Sequence, residues 1–329
     1  MASPELSLII PVHNEGPNIR PLCARVVPVL ERITPQWEIV FVDDGSTDDT
    51  LARIKAEGRA EARIGAVSLS RNFGKEIALA AGLDHARGQA VVIMDADLQH
   101  PPETIEEFVR RWREGYVMVY GQRTDRSGES PLKRNSARLF YRIFERFGET
   151  SLPEGAGDFR LIDRRGVEVL RALGERARFS KGLYAWIGFK SVGVPFAVEE
   201  RRHGTTKWSF RKLFRFAFDG ITSFSTVPLR VWTYVGSLIS LCAIAAALYF
   251  FIRTIVFGTD LPGFPSLIVS VMFFSGIQLL SLGIIGEYVG RIFAEVKRRP
   301  LYVVAERLGG AAEAGGDALV RDERRLAQV

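Results

Sequence analysis

The sequence VVIMDADLQHPPE, residues 91–103, runs from an apolar stretch directly into two aspartates, a glutamine and a proline pair. In extended backbone, residues i and i+2 point the same way, so Asp95 and Asp97 present their carboxylates to one site. Carboxylates this close repel each other unless a cation lies near them. Mg²⁺ or Mn²⁺ suits such a pair, because a hard ion of this kind uses few carboxylates and takes further ligands from phosphates. Gln99 adds a neutral oxygen. The alternative is that Asp97 or His100 only caps the following helix.

Short apolar runs alternate with helical patterns over residues 6–200. The predicted strands are Leu6–Val12, Glu38–Asp43, Ile64–Leu69, Ala90–Asp95 and Val117–Tyr120, and the predicted helices are Asn18–Glu31, Asp48–Glu57, Lys75–Ala86 and Glu103–Trp112. This alternation predicts an α/β fold with a mostly parallel sheet and ligands at the carboxyl ends of the strands.

A second acidic cluster, DDGSTDDT at residues 43–50, also follows an apolar run. Ser46 or Thr47 as a helix N-cap explains part of it. Capping does not explain Asp43 and Asp44, whose carboxylates can accept hydrogen bonds from a base or a ribose hydroxyl. The first strand is not followed by GxGxxG, and NFGKEIA lacks the upstream glycine of a P-loop, which argues against dehydrogenases and P-loop kinases.

Composition excludes several other classes of protein. The chain has 329 residues, a formal net charge of +6, two cysteines and four histidines. The charge is mild and no long Lys/Arg block suggests a nucleic-acid partner. Widely separated cysteines form neither a disulfide framework nor a zinc site.

Two uncharged runs, residues 231–252 and 264–286, are each long enough to cross a bilayer core about 30 Å thick. Basic residues on the shared flank place the N-terminal domain and the tail in the cytoplasm, in an integral protein of the cytoplasmic (inner) membrane. The apolar positions of residues 210–221 recur at helical spacing, which predicts an amphipathic helix at the membrane interface or on the soluble domain. The expected divisions are residues 1–208 (catalytic domain), 209–229 (amphipathic segment), 230–290 (two transmembrane helices) and 291–329 (cytoplasmic tail).

Six motifs, taken in order, resemble those of the polyprenyl-phosphate glycosyltransferases of family 2. They are IIPVHNEG (9–16), VDDGSTDDT (42–50), SRNFGKEIALAAGL (70–83), DADLQHPPE (95–103), RRHGTTKWS (201–209) and GEYVGRIFAEVKRRP (286–300). RFSKGLYAWIGFKSVGVPF (178–196) is most similar to the bactoprenol glucosyltransferase branch.

The resemblance implies a GT-A fold and inverting transfer of a sugar from a nucleotide-diphosphate donor, UDP-glucose first, to a polyprenyl phosphate such as undecaprenyl phosphate. The family motifs place the nucleotide against Pro11, His13, Glu15, Asp43 and Asp44, and the metal and donor diphosphate at Asp95, Asp97 and Gln99. His13 stands where the family commonly has an aromatic residue such as Tyr.

GAGDFRLIDRR (155–165) supplies Asp158, after small residues and before a short strand. The resemblance implies that Asp158 faces the acceptor, so Asp158 and Asp97 are the expected catalytic residues. Two anionic substrates require cations beyond one metal ion. Candidates for the acceptor phosphate are Arg123, Lys133, Arg134 and Arg138. Arg201 and Lys207 match the family pattern RxxGxSK, with Thr206 in place of Ser, and would serve the diphosphate.

The sequence is also compared with three alternatives to this function. Another sugar (aminoarabinose, mannose or N-acetylglucosamine) would use the same motifs. A membrane polysaccharide synthase is disfavoured because its QxxRW motif is absent. An inactive nucleotide-binding scaffold would not need the intact charged motifs. Small residues at Gly276, Ser281, Gly283 and Gly286 permit close helix contacts, so we expect a homo-oligomer.

Overall fold

The computed structural model describes residues 3–123, 156–176, 178, 180–199 and 263–309, with scattered positions between 234 and 256. The strands are β1 (Leu6–Val12), β2 (Trp37–Asp43), β3 (Ile64–Leu69), β4 (Ala90–Ile93), β5 (Met118–Arg123), β6 (Ala156–Asp163), β7 (Ser191–Phe196) and β8 (Val304–Leu308). The helices with defined bounds are α1 (Gly16–Ile33), α2 (Thr50–Ala60), α3 (Lys75–His85), α4 (Thr104–Arg113), α5 (Arg164–Ala172), α6 (Ser180–Trp186) and α7 (Phe264–Val296).

The eight described strands form one sheet in the order β7-β5-β6-β4-β1-β2-β3-β8. Strands β4, β1, β2 and β3 are parallel neighbours, and β5 is parallel to β7. β6 runs antiparallel between β4 and β5, and β8 runs antiparallel along β3. The predicted α/β class with a mostly parallel sheet is therefore confirmed, and all five predicted strands and four predicted helices are present.

The central strands are buried on both faces, as their mostly apolar sequences predict. All seven residues of β2 and all six of β3 are buried. Helix α1 contributes Ile19, Leu22, Val26 and Leu30 to the main core, spaced so that they share one helical face. On helix α3, a Cβ at Gly82 would lie only 2.4 Å from Ile9 Cγ2, so glycine lets this helix approach the sheet closely.

Two strands differ from the sequence-based expectations. Asp158 does not precede a strand but lies within β6, which begins at Ala156. Val304–Leu308, which the sequence placed in a tail, forms the edge strand β8. The segment Val304–Leu308 has five residues and no apolar/polar alternation, so it does not stand out as a strand without the β3 edge to pair with.

Helix α7 continues ten residues beyond the predicted end of the second span, from Gly286 to Val296. Its segment Ser270–Val296 is 27 residues long and apolar enough to cross a membrane, by length and composition. At 1.5 Å per residue this segment extends about 40 Å. It is the single such helix among the described residues. The amphipathic segment 209–229 and most of the first predicted span lie outside them.

The chain after α7 is attached to the catalytic sheet by side-chain contacts as well as by β8. Tyr302 Oη donates a 2.9 Å hydrogen bond to Asp84 Oδ2 on α3, and Lys55 Nζ lies 2.7 Å from Glu306 Oε1. Burial, reinforced by the Asp84 carboxylate, holds the pKa of Tyr302 well above its usual range. These contacts hold the segment against both α2 and α3.

Replacing Tyr302 by Phe should weaken this attachment by removing one hydrogen bond to a charged acceptor. We expect the free energy of unfolding to fall by about 1–2 kcal/mol and the apparent melting temperature by about 2–6 °C. Thermal unfolding in detergent measures the shift. Tyr116→Phe is the matched control, because Tyr116 uses its ring, 4.3 Å from Lys190 Nζ. Equal shifts in the two variants would contradict the assignment.

Candidate active site

The register between β4 and β6 brings two of the predicted site residues together. Ile93 pairs with Arg160 in this antiparallel ladder. Continuing the register by two residues sets Asp95 opposite Asp158, although the two are distant in sequence. Because β6 is antiparallel, its beginning lies at the carboxyl edge of the parallel strands, where the sequence predicts the site.

Lys75 lies between these two carboxylates. Its Nζ is 2.7 Å from Asp95 Oδ1 and 2.9 Å from Asp158 Oδ2. Burial opposes the charge of Lys75, but the two aspartates outweigh that effect and hold its pKa well above the usual range. The lysine is therefore an ammonium ion shared by two elements of the sheet.

Asp158 is kept ionised by the same contact. Burial alone would raise its pKa, but Lys75, with Lys181 and Arg160 nearby, holds that pKa below the usual range. Its Oδ1 is buried and accepts no hydrogen bond from the described residues. Asp158 is therefore a carboxylate at neutral pH, with one oxygen committed to Lys75.

Beneath Asp158, Arg160 is buried at 3% exposure and stacks over the ring of Tyr184, at 3.7 Å from the ring centroid. Burial lowers the pKa of Arg160 from its usual value and raises the pKa of Tyr184 to about 12. A buried guanidinium supplies positive charge to the floor of the site without reaching solvent. The sequence reasoning did not identify this pair.

Asp43 and Asp44 lie at the end of β2 and hold loops of the protein. Asp43 accepts hydrogen bonds from Ser46 N at 3.0 Å and Ser68 Oγ at 2.8 Å. Asp44 accepts from Phe73 N at 2.7 Å and from Gly74 N at 2.9 Å, one to each carboxylate oxygen. Asp44 thus fixes the backbone immediately before Lys75.

His13 and Glu15 follow β1 at the same edge, and the half-exposed Pro11 lies within that strand. His13 Nδ1 donates to the Asp44 carbonyl at 2.9 Å, and its Nε2 lies 3.4 Å from Asn14 Nδ2. Glu15 Oε2 accepts from Asn18 Nδ2 at 2.6 Å. The two ring nitrogens of the imidazole are thus both in contact with neighbouring polar groups.

The DADLQ loop is stabilised locally. Asp97 Oδ1 accepts from Gln99 N at 3.1 Å, and Leu98 between them has φ +60°. Glu103 is the N-cap residue of α4, so neither Asp97 nor His100 caps that helix. His100 instead stacks on Phe159 in the core, with ring centroids 4.7 Å apart. The capping alternative is wrong for this cluster.

The capping alternative also fails at the second acidic cluster. Helix α2 begins at Thr50 with Asp49 as its N-cap residue. Ser46 Oγ accepts from Asn14 N at 2.9 Å, and Thr47 N donates to Asn14 Oδ1 at 2.8 Å. Ser46 and Thr47 therefore tie the β2 loop to the β1 loop.

The oxygen ligands at the end of β4 suit a divalent cation. Within the described ranges, no group of three His, Cys, Asp or Glu side chains is arranged to hold a metal ion. Asp95 and Asp97 would supply two carboxylates and Gln99 an amide oxygen, a set that fits Mg²⁺ or Mn²⁺ completed by substrate phosphates and water. This chemistry does not distinguish the two metals.

Of the predicted cationic residues, Arg123 is described. It is exposed at the end of β5, on the same edge as Asp158, because Gln122 pairs with Ala156. The other candidates, Lys133, Arg134, Arg138, Arg201 and Lys207, lie outside the described residues. Sequence reasoning missed Lys75 as a site residue. Its signal was the FGK sequence at the start of a predicted helix, within a motif that was used to argue against a P-loop and for the family resemblance.

The described site is an acidic edge on a mostly parallel α/β sheet, with one lysine shared between two carboxylates. Residues 7–171 match the family model for glycosyl transferase family 2. An uncharacterized glycosyltransferase of Synechocystis is 50% identical over 305 residues, covering 93% of this chain and 96% of the relative. The SfII prophage-derived bactoprenol glucosyl transferase of Shigella flexneri is 42% identical over 301 residues, covering 91% of this chain and 97% of the relative. The chain belongs to glycosyltransferase family 2, which confirms the resemblance.

Among solved structures, a glucosyl-3-phosphoglycerate synthase from Mycobacterium tuberculosis overlaps with a TM-score of 0.45 and 21% identity, covering 66% of this chain and 77% of that chain. That structure contains Mn²⁺, UDP-glucose and phosphoglyceric acid.

The glycine of the DDGST motif is required by its backbone and its neighbours. Gly45 has φ +64°, and a Cβ there would lie 2.4 Å from the backbone carbon of Arg71. Gly115 also has positive φ, +96°, but a Cβ there would meet nothing within 4 Å. A side chain at position 115 would therefore meet backbone strain alone, whereas one at position 45 would meet both strain and steric overlap.

Gly45→Ala should therefore destabilise the protein more than Gly115→Ala. We expect about 1–2 kcal/mol for strain alone at position 115 and at least about 1 kcal/mol more at position 45, where backbone atoms must move. Thermal unfolding of both variants measures the difference. A loss at position 45 no larger than that at position 115 would show that the loops are not tightly packed.

Proposed function

We propose that the protein transfers a hexose from a nucleotide-diphosphate sugar, UDP-glucose first, to a polyprenyl phosphate such as undecaprenyl phosphate, with inversion at the anomeric carbon. The observation that carries the proposal is the Asp95–Lys75–Asp158 arrangement at the carboxyl edge, in a family 2 chain whose relatives include named bactoprenol glucosyl transferases. Aminoarabinose, mannose and N-acetylglucosamine donors are the alternatives within the same reaction.

The donor would lie across the loops that follow β1, β2 and β4. Pro11, Glu15, Asp43 and Asp44 would line the nucleotide, and the ring of His13 would stack on the base in place of a tyrosine. Asp95, Asp97 and Gln99 would hold Mg²⁺ or Mn²⁺ against the diphosphate. The metal would supply charge neutralisation for the diphosphate leaving group.

In the transfer, an oxygen of the acceptor phosphate forms a bond to C1 of the sugar, and the bond from C1 to the nucleotide diphosphate breaks. A phosphate monoester has a second pKa of about 6. The acceptor phosphate is therefore largely ionised at neutral pH and needs no strong base. Since the pKa of Asp158 is held low, chiefly by Lys75 against the effect of burial, its role would be to orient the acceptor and stabilise positive charge developing at C1.

Cationic side chains would balance the two phosphate groups. Arg123, at the exposed end of β5, is placed at the same edge as Asp158. Arg134 and Arg138 would join it at the acceptor phosphate, with Lys133 as a further candidate. Arg201 and Lys207 would serve the leaving diphosphate. Charge-assisted hydrogen bonds of this type strengthen as charge develops.

Membrane attachment would confine the enzyme to the surface that carries its lipid acceptor. The length and composition of Ser270–Val296 support one transmembrane helix, and residues 231–252 would form the other. The segment 209–229 would lie at the interface, with the catalytic domain (1–208) and the C-terminal segment in the cytoplasm. Small residues in the second span would support a homo-oligomer. Confinement at the surface reduces the search for the acceptor.

Purified full-length protein in detergent, with undecaprenyl phosphate and Mn²⁺ or Mg²⁺, tests the reaction. Each nucleotide sugar is offered separately, and mass spectrometry detects the glycosyl phospholipid. We expect a product with UDP-glucose that is abolished by EDTA and reduced about 100-fold or more in Asp97→Asn. Glu114→Gln, an exposed acidic residue on α4 remote from the site, is the matched control. No product with any donor would refute the proposed function.

Asp158→Asn should lower kcat by about 100-fold or more, since the carboxylate charge is lost where positive charge develops. Asp163→Asn is its control at the other end of the same strand, where Asp163 caps α5 by accepting from Arg165 N. Asparagine is an equally good cap, so little change is expected there. Steady-state kinetics on both variants, with equal melting temperatures, measure the effect. Comparable kcat values would remove Asp158 from the reaction.

A further inference from the structure

Lys75 links two separate elements of the site through charged contacts. It is the first residue of α3, and its Nζ contacts Asp95, after β4, and Asp158, in β6. The two carboxylates belong to different sides of the proposed reaction, Asp95 to the donor and Asp158 to the acceptor. One ammonium group therefore joins the side chains of Asp95 and Asp158.

We propose that Lys75 is a positioning residue, which holds Asp158 in its working orientation and fixes it relative to Asp95. This inference rests on the proposed function and names a further residue of that site. Two facing carboxylates repel each other, and a shared cation converts that repulsion into a fixed arrangement. Contacts of 2.7 and 2.9 Å are in the range of strong charge-assisted hydrogen bonds.

The backbone around Lys75 is anchored on both sides. Before it, Phe73 N and Gly74 N donate to the two oxygens of Asp44. After it, Glu76 Oε2 accepts from Ser180 N at 3.0 Å and also from Ser180 Oγ. Burial, with the nearby charge of Asp158, raises the pKa of Glu76. A lysine that served only as a solvated surface charge would not require its neighbours on either side to be tied to other elements.

Among the described residues, the contact with Lys75 is the one that orients the Asp158 carboxylate. Its Oδ2 is 2.9 Å from Lys75 Nζ, and Oδ1 has no hydrogen bond from the described residues. The side chain is 17% exposed, so little water is available to hold it. Without Lys75 the carboxylate is free to rotate, and the distance between donor and acceptor groups is no longer set.

The competing explanation is that Lys75 binds a substrate phosphate directly. Its side chain is 43% exposed, so solvent reaches part of it. Direct binding would make the effect of Lys75 independent of Asp158, and it would weaken the donor or the acceptor complex. Positioning would make the effect pass through Asp158, and it would lower kcat. The two explanations therefore differ in a measurable coupling.

A double-mutant cycle in the full-length enzyme provides the test, with Lys75→Met, Asp158→Asn and the double variant assayed on the active donor and undecaprenyl phosphate. We expect each single variant to lose about 100-fold in kcat, and the double variant to be no worse than the poorer single one, because residues acting as a unit are not additive. A multiplicative loss of about 10⁴-fold would overturn the proposal.

Two further measurements, the affinity for UDP and the recovery of kcat by a conservative substitution, distinguish a positioning lysine from one that only stabilises the fold. The affinity for UDP with Mn²⁺, measured by calorimetry, should stay within about three-fold in Lys75→Met, and Lys75→Arg should recover part of kcat. Lys55→Met is the control, since Lys55 pairs with Glu306 outside the site and is 33% exposed. Loss of UDP binding in Lys75→Met, or full activity in that variant, would overturn the inference about Lys75 but not the proposed function. An inactive wild-type enzyme would overturn the proposed function and, with it, the inference.

Discussion

The antiparallel pairing of β6 with β4 is the constraint on which the site depends. A purely parallel sheet would present only the residues that follow its strands. Inserting one reversed strand between β4 and β5 adds the beginning of β6 to the same edge. The carboxylates of Asp95 and Asp158 then face each other, and the repulsion between them has to be met by a cation. Lys75, the first residue of α3, supplies this cation. The loop before Lys75 is fixed in turn by Asp44, which follows β2.

The acidic motifs can hold loops of the protein and bind a ligand at the same time. Asp43 and Asp44 accept hydrogen bonds from Ser46, Ser68 and the backbone before α3. Each carboxylate oxygen can accept more than one hydrogen bond, so such contacts still leave capacity for a ligand. The internal bonds determine where the oxygens lie. Preorganisation of this kind is what electrostatic catalysis requires, since polar groups that must move on binding lose part of their effect.

Much of the fold was predictable from local patterns, because apolar runs followed by Asp43 or Asp95 mark both the strands and their carboxyl ends. The Asp95–Asp97 pair spans three residues and could be identified directly from the sequence. The contact of Asp158 with Lys75 could not, because it depends on an antiparallel register between β4 and β6, which no local periodicity specifies. His100 illustrates the opposite error: its place in a polar motif suggested a cap, whereas its ring packs against Phe159 in the core.

Strand β8 has a consequence for the order of biosynthesis. It covers the outer edge of β3, yet it follows helix α7 in the chain. A ribosome therefore delivers the sheet with β3 still open, and the last strand emerges only after the longest apolar helix has been made. Open strand edges promote pairing with other chains, and N-terminal regions fold first during synthesis. Completion of the catalytic sheet is thus coupled in time to synthesis of the membrane-type helix, so a nascent chain arrested before residue 304 carries an unprotected edge.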